Sequence, residues 1–283
     1  MEYRTLGRTG IRVSEVGMGC EGFDNKTAAQ TAEMVDFAMS KGINFIEIYS
    51  SNPVLRANLG EAFSRYPRES FVVQGHIGST WQDGQYKRTR NISECKAAFE
   101  DFMRLMKLDF VDIGCIHYCD EERDYDAIFG GEIIEYAKQL KAQGKIKAIG
   151  LSTHNTAIAR RAVDSGLVDV ILFSINPAYD MLPASDDIDA LFDASTFDRT
   201  YEGIDPERSE LYGLCRNEGV ALIVMKGYAG GLLLSDKQSP FGRALTAVQC
   251  IHYCLTRPAV ASVMVGAHSI GEFADAASYS DAS

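Results

Sequence analysis

VSEVGMGCEGFDNKTAAQ, residues 13–30, is the stretch on which two folds diverge. Its apolar start runs into Gly17-Met18-Gly19-Cys20-Glu21-Gly22, which has the glycine spacing of a dinucleotide-binding turn. Such a turn opens directly into a helix whose N-terminus holds a pyrophosphate. Here Phe23-Asp24-Asn25-Lys26 delays the helical period until Thr27. The glycines therefore read as an accident of spacing, and the open doubly wound sheet becomes the alternative to a closed barrel.

Outward from this stretch, apolar runs of strand length alternate with stretches of helical period. The strand candidates are Val13–Gly19, Ile43–Ile48, Phe71–His76, Phe110–His117, Ile146–Leu151, Val168–Phe173, Val220–Val224 and Ala261–Val265. Most are continuously apolar, as strands covered on both faces should be. Helix candidates include Thr27–Lys41, Ile92–Met106, Ile133–Gln143, Ala157–Ser165, Pro206–Glu218 and Phe241–Thr256. Gly42, Gly144 and Gly219 follow three of them as stop signals. Strict alternation of eight strands with helices predicts a (β/α)8 TIM barrel, with its working site at the C-terminal mouth of the strands. The opening EYRTLGRTGIRVS (residues 2–14) predicts an N-terminal β-hairpin covering the barrel bottom. Residues 1–283 are expected to form one domain. One long insertion, about Ala178 to Asp205, follows the sixth strand and is expected over the mouth as a loop or lid, or as a solvated excursion.

Composition narrows the function classes. A net charge of -11 disfavours a nucleic-acid partner, which needs clustered Lys and Arg. No apolar run reaches membrane-spanning length, and the N-terminus carries charges where a signal peptide needs an apolar core. The seven cysteines are scattered through apolar segments and read as free, buried thiols in a reducing, cytoplasmic setting. The expected partner is a small molecule; oligomeric state is open.

At this point the chain resembles the aldo-keto reductase family over nearly its whole length. The resemblance rests on YRTLGRTGIRVSEVGMG (3–19), GINFIE (42–47), LDFVDIGCIH (108–117), GKIKAIGLSTH (144–154), GGLL (230–233) and VASVMVGA (260–267), in matching order and spacing. The likeness is closer to a bacterial branch that often carries an added C-terminal iron-sulfur segment. No Cys-x-x-Cys cluster occurs here, and no such segment is expected. The resemblance implies hydride transfer between a nicotinamide cofactor and a carbonyl or alcohol. It also implies four polar residues at the mouth: a proton-donating Tyr, a Lys paired with an Asp, and a His that orients the substrate oxygen.

This sequence departs from that set. The Asp position falls on Glu47, the Tyr position on Asn52 and the Lys position on His76, while the His is kept as His117. Leu59-Gly60 keeps the spacing from Asn52, which argues against a slipped alignment. Asn52 has no proton to give, whereas an imidazole titrates near neutral pH. Glu47 is placed to hold His76 and favour its imidazolium as the acid. Tyr49 is a further candidate, and a site that has lost its reaction is the plain alternative. For the substrate wall the resemblance implies Tyr49, Trp81 and Tyr118. For the cofactor it implies Ser152 and Thr153 at the carboxamide and Met225 in place of a stacking aromatic. Lys226 and the turn Gly227–Gly231 would lie at the pyrophosphate, with Gly266, Ala267 and His268 beyond. Leu172 stands at a Gln position, Glu272 at that of an Arg for the 2′-phosphate, and Ala276 at that of an Asn for the adenine. A carboxylate repels a phosphate dianion, so NAD is favoured over NADP.

Other constellations carry weaker readings. Cys115, His117 and Cys119 alternate and, with His76, could hold a metal, but alternating inward residues usually fill a barrel. Cys250 and Cys254 read as a packed helix face. Lys87-Arg88-Thr89-Arg90, in the loop after the third strand, suits either an anionic substrate or plain solvation. The expected activity is an oxidoreductase with an atypical proton donor. The alternatives are a lyase or isomerase using Glu47, His76 and His117, and a silent barrel that acts as a binding subunit.

Overall fold

In a computed structural model, the structure describes residues 1–182, 194–197 and 203–282. The chain enters through an antiparallel hairpin of β1 (Tyr3–Thr5) and β2 (Arg12–Ser14), in which Tyr3 faces Ser14. It then runs through β3 (Val16–Gly19), α1 (Ala28–Ser40), β4 (Phe45–Ile48), α2 (Pro53–Phe63) and β5 (Val72–Ile77). A second hairpin, β6 (Ser79–Gln82) with β7 (Gln85–Arg88), precedes α3 (Ile92–Leu105) and β8 (Val111–Ile116). Next come α4 (Glu122–Phe129), α5 (Glu132–Ala142), β9 (Ile146–Thr153), α6 (Thr156–Asp164) and β10 (Val170–Ser174). The order ends with α7 (Pro206–Glu218), β11 (Ala221–Met225), α8 (Ala247–Leu255), β12 (Val260–Val265), α9 (Ile270–Ala277) and α10 (Tyr279–Ala282).

The strands β3, β4, β5, β8, β9, β10, β11 and β12 close into one parallel barrel, β12 pairing back onto β3 through Val263 and Val16. The expected barrel is thus the observed one. Alternation along each strand explains the two cores. Ile46, Ile48, Val73, Ile116 and Ile171 point out to the helices, while Phe45, Val72, Ile113, Ala148, Val170 and Ala221 point in.

The hairpin β1–β2 plugs the barrel bottom, as expected. Leu6 and Val13 are fully buried against the inward-facing layer. Gly7 has φ +45, and a Cβ on it would lie 2.1 Å from Gly219 O. Only glycine therefore permits Arg8 N to donate to Gly219 O at 2.8 Å and seat the hairpin. One boundary differs from expectation: Val13 belongs to this hairpin, not to the first barrel strand. The backbone breaks at Glu15, whose carbonyl accepts from Val263 N and whose carboxylate holds Arg4 at 2.6 Å.

The last large helix also starts later than expected, at Ala247. Pro240 and Gly242, the latter at φ +69, keep the preceding segment irregular, and Thr246 with Gln249 forms a capping box. Helices α2, α4 and α9 were not anticipated from periodicity. Most of the insertion expected over the mouth lies outside the described residues. Among the described residues no helix is long and apolar enough to cross a membrane.

Candidate active site

The inward parity of β4, β5 and β8 carries three polar side chains to the C-terminal rim. Glu47 and Phe45 share one face of β4, His76 and Gln74 one face of β5, and His117 follows β8 in step with Ile113 and Cys115. All three are buried. His76 Nδ1 lies 2.7 Å from His117 Nδ1, so one of the two nitrogens carries a proton and the other accepts it. His76 Nε2 lies 2.8 Å from Glu47 Oε1. That contact is ion-pair close but out of line for a hydrogen bond, and Glu47 Oε1 has no other hydrogen-bond partner. The Gln74 amide nitrogen lies 3.3 Å from the same ring nitrogen. A half-turn of this amide would bring its unpartnered Oε1 there instead. Burial, then the charge of His76 and of Arg90, holds the His117 imidazole well below its ordinary range.

On its other side, His117 Nε2 meets the Tyr86 hydroxyl at 2.5 Å. Tyr86 comes from the hairpin β6–β7, where it pairs across from Trp81. The turn is Asp83-Gly84, both at positive φ, as a two-residue hairpin requires. Aspartate followed by glycine between Trp81 and Tyr86 was the signal that could have revealed this hairpin. Its base is fastened by Ser79 Oγ to Tyr49 O at 2.6 Å and by Ser51 Oγ to Thr80 O at 2.6 Å. Arg90 grips both oxygens of Asp124 at 2.8 and 2.6 Å and donates to Tyr118 O at 2.6 Å. Arg88 donates to the same carbonyl at 3.1 Å, and Lys87 reaches Gln82. The basic cluster, read from sequence as suiting either an anionic substrate or plain solvation, is built into the hairpin clamp.

A second imidazole–carboxylate pair stands nearby. His154 Nδ1 lies 2.9 Å from Asp120 Oδ2. Asp120 Oδ1 also accepts from Thr153 Oγ1 at 2.8 Å and from His154 N at 2.6 Å. Burial pushes the Asp120 carboxyl up, but these hydrogen bonds and the His154 charge outweigh it and leave its pKa lowered. Sequence reasoning missed this pair, because nothing in the spacing of Asp120 and His154 announces a contact across two strands.

A cavity of about 650 Å³ opens over these groups. Glu47, Tyr49, His76, His117, Tyr118, Ser152, Met225, Lys226, Gly227, Gly231, Gly266 and His268 all line it, together with His154, Glu21 and Glu272. Four expected site residues do not. Asn52 caps α2, its Oδ1 accepting Val54 N at 3.0 Å and Leu55 N at 3.4 Å. Thr153 is turned to Asp120. Ala267 is buried with its carbonyl so close to Gly22 that a Cβ there would lie 1.6 Å away. Trp81 sits on the outer hairpin, partly exposed. Among the described residues no group of three or more His, Cys, Asp or Glu is placed to hold a metal ion.

A dinucleotide suits the donors present. The Ser152 hydroxyl lines the cavity without a hydrogen-bond partner among the described residues, as a free donor for a carboxamide should. Gly230 and Gly231, at φ +66 and +92, form a side-chain-free wall beside Lys226 that a ligand can approach closely, with Gly231 N held inside the turn by Tyr228 O at 3.0 Å. At the start of α9 the Glu272 carboxylate accepts His268 N at 2.8 Å, so an anion of the protein's own fills that helix N-terminus.

Fold and site together define a (β/α)8 barrel with an imidazole-lined cavity open at its mouth. The chain belongs to the aldo/keto reductase family, whose model matches residues 15–244. The aldo-keto reductase YhdN of Bacillus subtilis (strain 168) is 26% identical over 192 residues, 64% of this chain and 54% of that protein. The NADH-specific methylglyoxal reductase of Escherichia coli (strain K12) is 25% identical over 255 residues, 82% of this chain and 69% of its own. The holo form of aldo-keto reductase AKR11C1 from Bacillus halodurans has the same fold, with a TM-score of 0.76 at 20% identity, covering 100% of this chain and 92% of that one. The chain spans about half the length of several curated relatives it matches.

Proposed function

We propose that this protein is an oxidoreductase that transfers hydride between a nicotinamide dinucleotide and a small carbonyl or alcohol substrate. The observation that carries the reading is the shared cavity. One wall holds the Glu47–His76–His117 group and the other holds Ser152, Lys226 and the glycine turn. A reduced nicotinamide, when bound, supplies the hydride to the carbonyl carbon. Ser152 orients its carboxamide, while Lys226 and the glycine turn Gly227–Gly231 face its phosphates. The imidazole pair delivers the proton that the carbonyl oxygen needs, and Tyr49 and Tyr118 wall the substrate pocket.

The preferred cofactor is NAD(H). Glu272 sits where a 2′-phosphate would need a cation, and its charge already occupies the α9 terminus. The NADH specificity of the Escherichia coli relative agrees. Seven cysteines, all free and buried, suit a reducing compartment such as the cytoplasm.

A lyase or isomerase reading is favoured by one feature: two imidazole–carboxylate pairs, His76–Glu47 and His154–Asp120, share the cavity. Titration with NADH and with NADPH, followed by nicotinamide fluorescence, separates the two. Saturable binding supports the oxidoreductase; binding of neither cofactor defeats it.

A further inference from the structure

Carbonyl reduction leaves an alkoxide, and something must protonate it. Among the proton-holding groups at the mouth, three form one connected cluster beside Glu47: Tyr49, the imidazole pair and Tyr86. The Tyr49 hydroxyl makes no hydrogen bond to any described residue, so nothing there resupplies it after a turnover. Burial, then the neighbouring acidic groups Cys20, Glu21 and Glu47, also raises its pKa and makes it a poor acid. His76 is buried beneath His117, with Nδ1 and Nε2 both engaged. His117 has its outer nitrogen already covered by Tyr86. Each of these contacts leads toward the same hydroxyl.

The geometry points to Tyr86, carried on the hairpin after β5, as the terminal proton donor, recharged through His117 and His76 from the side of Glu47. This assignment rests on the carbonyl-reduction reading. Tyr86 is exposed to solvent on its outer side, and its ring packs edge-on against Tyr49, which lines the cavity, at 6.3 Å between centroids. Tyr49 in turn lies parallel to the His117 ring at 6.1 Å. The Tyr86 hydroxyl therefore stands at the junction of the two cavity-wall rings.

The protons balance in one arrangement. With a single extra proton on the pair, His76 carries hydrogens on both nitrogens and its cation is offset by Glu47. His117 Nδ1 then accepts from His76, which places the His117 hydrogen on Nε2, where it donates to the Tyr86 oxygen. The phenolic hydrogen is thereby freed to point at substrate. As the carbonyl carbon gains a hydride and its π pair moves to oxygen, that oxygen takes the Tyr86 proton. The phenolate takes the Nε2 hydrogen of His117, and His117 Nδ1 takes the hydrogen of His76. His76 ends neutral beside Glu47, and solvent restores its proton after product leaves. A strongly depressed His117 fits this, because the relay needs it neutral at rest. Burial raises the Tyr86 pKa, so its acidity in the reaction comes from the imidazolium behind it.

Two measurements test the assignment. In the ligand-free protein, NMR of the histidine ring nitrogens should show the His117 Nε2 signal moving when Tyr86→Phe removes the hydroxyl; an unmoved signal overturns the relay. In single turnover with nitrobenzaldehyde and whichever cofactor binds, Tyr86→Phe should slow the chemical step about a hundredfold, with cofactor affinity held within about twofold. His76→Gln should lose as much, and the double variant little more, because the groups act as a unit. A loss of under about threefold in Tyr86→Phe, or a large loss confined to Tyr49→Phe, overturns the donor while leaving the reductase reading intact. A wild type that binds neither cofactor overturns the reading, and the donor with it.

Discussion

The Asn52 side chain belongs to its helix. Oδ1 accepts two amides of the first turn of α2, with Pro53 at the first helical position. Asn52→Ala should therefore lower stability by about 1 kcal/mol, and Asn52→Ser should recover most of it, as read from urea midpoints. Equal midpoints for Ala and wild type would show that the cap does not matter. Replacing Asn52 by Tyr breaks the same cap and places a phenol where no cation stands to lower its pKa from about 10, so no gain in turnover is expected. Glu47, His76 and His117 were legible from the sequence because strand parity fixes which side chains turn inward. Tyr86, Asp120 and His154 were not. Their roles come from contacts across 31 and 34 residues of chain, which no local pattern encodes.

At the scale of elements, the β6–β7 hairpin is fastened at its base by Ser51 and Ser79 and clamped at its end by Arg90 on Asp124. The Asp124 side chain is 13% exposed and the Arg90 side chain 22%, so this ion pair is better shielded than a surface pair. Arg90→Ala should leave the barrel folded but speed amide exchange selectively across residues 79–88. Unchanged exchange there would mean that Ser51 and Ser79 suffice to hold it. From sequence this hairpin reads as a loop: the Asp83-Gly84 turn carries the signal, but the flanking polar residues hide it. Helix α9 makes the second element-scale prediction. Glu272 caps its first turn with negative charge, which stabilises the helix and discourages a phosphate. Glu272→Gln should narrow the preference for NADH over NADPH by about tenfold, roughly 1.4 kcal/mol, as measured by paired dissociation constants. An unchanged ratio would place the discrimination elsewhere.

Across the whole molecule, the alternation of apolar runs with helical stretches sufficed for the barrel, because every strand covered on both faces must be continuously apolar. Boundaries were less legible where side-chain caps and glycine strain decide them, as at Glu15, Gly242 and Thr246. The barrel also buries titratable groups, and these set how stability responds to acid. His117 is held neutral by burial and by the His76 charge, so its pKa in the folded protein lies below its ordinary 6.5. Between those two values the unfolded chain binds a proton that the folded chain does not. Stability from this group is therefore complete above 6.5 and is lost as pH falls through the folded value. Asp120, also lowered, adds a second loss at more acidic pH, below its ordinary 3.8. Asp180 acts in the opposite direction. Burial raises its pKa despite Arg208 and the hydroxyls of Tyr212 and Tyr253, so its contribution is greatest when protonated and declines as pH rises. The upper part of the acid limb therefore belongs to His117. Wild type should lose stability between about pH 7 and about pH 5, approaching 1.4 kcal/mol per pH unit where one proton is involved. His117→Gln should flatten that span while keeping the further fall below 3.8 to which Asp120 contributes. Urea midpoints across the pH range measure both, and an identical slope in wild type and His117→Gln would show that His117 is not held neutral by the fold.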